Sequence, residues 1–166
     1  MIVADATPLI HLARAGQLDL LPKVYERVPV PRSVWAEIVP SREPSPEGPV
    51  FEKASESWLD VRELSAGELR VAGSLRRGAP LGRGESEAIA LAEPLRTPVL
   101  MDDTIAIGVA RARGLETRWT TSVILEAHRR EILNTAEARL AIEELVRGGL
   151  WLRQDVLLRL LAILGD

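Results

Sequence analysis

Three apolar residues, Ile2-Val3-Ala4, open the chain and stop at Asp5, the pattern of a short buried strand. From Pro8 to Ala15 the apolar positions Leu9, Leu12 and Ala13 recur at helical spacing, and Gly16 closes the segment. Thr7 is placed to cap that helix, with Pro8 as its first residue. The alternation then continues. Residues 17–25 form a short second helix, 27–31 (RVPVP) a brief strand, and the segment after Pro31 a helix carrying Val34, Trp35 and Ile38. Residues 40–49 (PSREPSPEGP) are rich in Pro, Ser and Gly and read as an exposed loop. A helix end and a strand around Leu59–Val61 follow, then a mixed helical and loop stretch over 65–84. A helix from Glu85 to about Glu93 precedes a strand at Pro98–Met101. Next come a helix from Thr104 to Arg113, a strand near Glu116–Trp119 and a helix over Thr121–Arg130.

Strands and helices that alternate in this way predict a parallel sheet with helices on both faces. The tail, residues 131–166, differs: two amphipathic helices broken at Gly148-Gly149, read as a helical extension of one domain spanning 1–166. Its Leu152, Val156, Leu160 and Ile163 pack either on the domain or on a second subunit, and core packing is expected for most of them.

At 166 residues the chain is long enough for one well-filled core. It has no cysteine, which excludes disulfides and thiolate metal sites. It has no apolar run of bilayer length and no signal-peptide pattern, so a cytoplasmic location without membrane attachment is the expectation. All but two of its 21 basic residues are arginines, the exceptions being Lys23 and Lys53. The net charge of −3 nevertheless gives no global attraction to nucleic acid. A polyanionic partner would have to be held by a local basic patch, with Arg76, Arg77 and Arg83 the nearest to one, or through a metal.

In a parallel α/β sheet, ligands bind beyond the carboxyl ends of the strands, where helices begin. Asp5 meets that rule, as do Asp102 and Asp103 after the strand PVLM; Glu85 opens the helix before that strand, and Glu37 lies in the helix after VPV. Each has an ordinary alternative. Asp5 can make an Asx turn, Asp103 can cap a helix, Glu85 suits a helix dipole, and Glu37 can pair with Arg32 or Arg42. Glu87, two residues beyond Glu85, cannot share its helix face and is read as solvated. Acids gathered in one crevice repel unless a cation sits among them, and a hard divalent ion such as Mg²⁺ or Mn²⁺ suits oxygen ligands. Such a centre activates water for attack on a phosphodiester.

The segments VADATPLIHLARAGQLDLL, VPVPRSVWAEIV, LGRGESEAIALAEPLRTPVLMDD and ARARGLE, in this order, resemble the PIN domain family, in the subgroup akin to VapC toxins. The resemblance covers roughly residues 2 to 130. It implies a three-layer α/β/α sandwich and a metal-dependent ribonuclease, inhibited by a cognate antitoxin protein and forming a homodimer. By position it makes Asp5, Glu37, Glu85 and Asp103 the acidic set, with Asp102 adjacent to the last. Thr7 is the small hydroxyl residue beside Asp5. It implies Mg²⁺ or Mn²⁺ held by Asp5, Glu85 and Asp103 with Asp102, and an RNA substrate. Where relatives often carry an arginine after the Asp-Asp pair, this chain has Ile107, with Arg111 one turn later.

His11, among apolar residues on a helix, is read as packed or partly exposed, and no histidine–nucleophile pair is set up. Trp35, Trp58, Trp119 and Trp151 are scattered and read as core or interface residues rather than a base-stacking platform. The rival to catalysis is a PIN-like module that binds RNA or protein without cutting it. A haloacid dehalogenase is disfavoured, because no second aspartate stands two residues after Asp5.

Overall fold

The protein is described by a computed structural model over residues 1–165. β1 (Val3–Ala4) pairs in parallel with β4 (Val99–Leu100), which pairs in parallel with β5 (Thr117–Arg118). β2 (Val28–Pro31) pairs in parallel with β3 (Leu59–Arg62). The strands thus form a three-stranded sheet, β1-β4-β5, and a two-stranded one, β2-β3, which meet where the Ile2 N–H donates to the Arg27 carbonyl at 3.2 Å. Every crossover therefore carries helices, as parallel pairing requires. The expected α/β architecture is present, with parallel strands interleaved by helices.

The strand period of two sorts the core into two layers. Ile2, Ala4 and Leu100 face one cluster, shared with α1 (Ala6–Arg14), α2 (Leu20–Tyr25), α3 (Arg32–Ile38), α4 (Gly48–Ser55), α8 (Thr120–Arg129) and α9 (Thr135–Arg147). Val3, Val99 and Met101 face the other, against α6 (Arg83–Leu95) and α7 (Thr104–Ala112). α5 (Ala66–Gly78) packs beside α6, and α10 (Gln154–Leu164) closes the described chain. No described helix is long and apolar enough to cross a membrane.

Several elements begin elsewhere than the sequence suggests. α1 starts at Ala6, with Asp5 in the capping position and Pro8 third in the helix; the first turn has no intrahelical acceptor for its amides, so proline is tolerated there. Thr7 thus lies inside the first turn and is exposed, not the cap. α5 is one continuous helix, fixed by a capping box in which Ser65 Oγ accepts from the Glu68 N–H (3.3 Å) and Glu68 Oε2 from the Ser65 N–H (2.6 Å). α6 begins at Arg83, two residues before Glu85.

The tail divides. α9 is core, with Ala138, Ala141, Ile142 and Leu145 buried against the sheet's first layer. On α10, Leu160 and Leu164 are buried and Leu152 half-buried, but Val156 and Ile163 are exposed, so core packing does not extend to them.

Candidate active site: an acidic crevice at the strand ends

β1 delivers Asp5 to the carboxyl edge of the sheet, anchored by its own N–H donating to the Leu100 carbonyl of β4 (3.0 Å). The residue is only 5 % exposed, and although it occupies a capping position its carboxylate makes no cap bond along α1. Burial pushes its pKa from 3.8 to about 7; the Ala6 amide opposes this, while Glu85, Glu37 and Asp102 push it further up. Three carboxylates from other parts of the fold therefore act on Asp5 at this strand end.

α6 crosses this crevice with its first turn, and Gly84 is why it can. A Cβ at Gly84 would stand 2.8 Å from Glu37 Oε1, 3.2 Å from Asp5 Oδ1 and 3.2 Å from Val34 Cγ2. Two carboxylate oxygens from separate elements thus converge on the space left by one missing methyl group. Glu37, on α3 at the rim, is raised in pKa by its partial burial and by Glu85 and Glu87.

The remaining acids are engaged locally. Glu85 Oε2 accepts from the Gly82 N–H at 2.7 Å, closing the α6 N-terminus. Asp102 accepts from the Thr120 N–H (2.9 Å) and the Thr120 hydroxyl (2.6 Å), which ties the end of β4 to the start of α8. Asp103 caps α7 by accepting from the amides of Ile105 (2.9 Å) and Ala106 (2.8 Å). Asp102 and Asp103 thus have different hydrogen-bond partners, Thr120 for the one and the first turn of α7 for the other. Thr7 is exposed at the helix start, and its hydroxyl makes no hydrogen bond among the described residues.

Glu87 is the residue missed from sequence. It is 3 % exposed, not solvated, and it pairs with Arg83 at 2.7 Å. The Arg83-x-x-x-Glu87 spacing was the available signal, because an i,i+4 partner lets an acid turn inward. Arg76 is likewise occupied, donating to Ser86 Oγ (3.0 Å). His11 is half-buried, with burial depressing its pKa and Asp102 opposing that.

As the side chains stand, no three acidic or imidazole groups among the described residues are gathered closely enough to enclose an ion. The donor set still fits a hard divalent cation. Asp5 is a buried carboxyl whose surroundings disfavour its charge, its neighbours supply further carboxylate oxygens, and Gly84 keeps the space between Asp5 and Glu37 clear.

The chain belongs to the PIN domain family: the family model described as DUF3368, a PIN domain, matches residues 1–166. No curated protein matches the chain significantly.

Proposed function

We propose that this protein is a metal-dependent ribonuclease that hydrolyses RNA phosphodiesters endonucleolytically, of the VapC-like toxin kind, with a cognate antitoxin and a homodimeric state. Membership of a family that includes many nucleases supports the reading. The observation that carries it is the convergence of Asp5 Oδ1 and Glu37 Oε1 on the space at Gly84, beside one buried strand end.

In this reading Asp5, Glu85 and Asp102 would hold Mg²⁺ or Mn²⁺, and the bound ion would supply a nucleophilic water at neutral pH and offset charge on the phosphate. The chain's own residues do the rest. Thr120 orients Asp102 through two hydrogen bonds. Glu85 exchanges its Gly82 amide bond for the crevice, a rotation its long side chain allows. Glu37 stands at the rim, where it accepts a proton or orients a water. Asp103 secures the helix behind Asp102. Arg83, exposed and anchored by Glu87, steers the RNA backbone toward a crevice that would otherwise repel it.

The second reading, a PIN-like module without turnover, is favoured by one observation: Glu85 and Asp102 are both committed to backbone amides. Incubation of the purified protein with structured RNA and Mn²⁺ or Mg²⁺ separates the two. Ribonuclease action predicts cleavage that stops in EDTA and in Asp5→Asn. Cleavage that survives both treatments removes the metal mechanism, and binding without cleavage supports the silent module.

A further inference from the structure

Two of the four tryptophans are neither core nor scattered. Trp119 precedes α8 and is 38 % exposed; Trp151 follows α9 and is 79 % exposed. Both line one groove of about 550 Å³, floored by Leu125, Leu150, Val156 and Leu160. Asp102 and Thr104 line it too, and Asp102 stands two residues beyond Leu100, whose carbonyl accepts from the Asp5 N–H, so the groove and the acidic crevice have one wall residue in common.

Resting on the ribonuclease reading above, we propose that this groove is a nucleobase subsite. It holds one unpaired base of single-stranded RNA while the adjoining phosphate lies at Asp5 and Asp102. The chemistry of the walls supports that occupant. Indole faces stack on any base with little regard to sequence. The hydroxyls of Thr104, Thr121 and Ser122 supply donors and acceptors for a base edge. The volume is that of a small-ligand site. Arg153 stands on the rim, paired at 3.0 Å with an exposed Asp155, a surface ion pair that is readily exchanged for a phosphate. An apolar partner helix fits less well, because the floor ends at an acid that such a helix would desolvate without compensation. A base edge can donate to it.

The test compares binding of labelled single-stranded hexauridylate with that of an abasic ribose-phosphate hexamer to the full chain, in EDTA, by fluorescence anisotropy. The base-bearing strand is expected to bind at least about tenfold more tightly. Trp119→Ala and Trp151→Ala each erase most of that ratio, while Trp151→Phe keeps it. Circular dichroism confirms that the variants are folded. Equal affinity for the two strands, no binding of either, or a ratio intact in the double alanine variant overturns the proposal. So does a dimer in which acrylamide cannot quench Trp151, since a second copy then covers the groove. None of these readouts uses cleavage, so their failure leaves the nuclease reading to be judged by its own assay.

Discussion

Asp5 and Asp103 both stand at the capping position of the helix that follows a strand, Asp5 one residue past β1 and Asp103 three past β4. Asp103 does what that position invites: it accepts from two helix amides and remains exposed. Asp5 makes no cap bond, is buried, and is held near neutrality by burial and by three acidic neighbours. One local pattern therefore serves stability at β4–α7 and is withheld from it at β1–α1. A buried carboxylate that leaves its cap unmade is poised for an external cation, whereas one that has capped its helix is already satisfied.

The largest expected effect is on Asp5 itself. Asp5→Asn removes a proposed ligand and lowers RNA cleavage at least about 100-fold, yet raises the apo-protein's melting temperature by several degrees. A loss of both activity and stability would make Asp5 a structural residue like its counterpart.

Next comes the pair at the other strand. Asp102→Asn lowers cleavage roughly 10–100-fold. Asp103→Ala leaves the rate within a few-fold and costs about 1 kcal/mol, read as a lower denaturant midpoint. The reverse outcome would exchange the roles of the two aspartates. Gly84→Ala tests the crevice without touching a carboxylate. The new methyl displaces Glu37 and crowds Asp5, so cleavage falls about tenfold while the far-UV spectrum is unchanged.

A gentler probe is pH. The folded, metal-free protein keeps a proton on Asp5 up to about pH 7, whereas an unfolded aspartate with a pKa of 3.8 releases it much earlier. Stability contributed by this proton is fully present below pH 4 and is lost as the pH rises to 7, by on the order of 4 kcal/mol. Urea titrations in EDTA should show that loss in the wild type and not in Asp5→Asn.

The sequence disclosed the sheet well, because alternating strands and helices leave a strong hydrophobic rhythm and Asp5 stands at a clear strand end. It disclosed boundaries less well where a side chain has two permitted roles. Pro8 fits the first or third helical position equally, since neither amide has an intrahelical acceptor. Ser65 and Glu68 advertised a helix start that two nearby glycines obscured. Glu87 was misread because helical spacing says which face a residue shares, not whether an arginine one turn away lets that face be buried. Val156 and Ile163 have the periodicity of packed residues, and periodicity alone does not state what they pack against.

The sheet order has a consequence for how the molecule comes into being. β1 is made before its partner β4, and Val3 pairs with Val99 almost a hundred residues downstream. Asp5 cannot be fixed by Leu100, nor Asp102 by Thr120, until the segments that carry those partners have left the ribosome. A chain still being translated therefore carries every acid of the crevice before there is a crevice to put them in, and whatever chemistry they perform waits for Thr120 to be made.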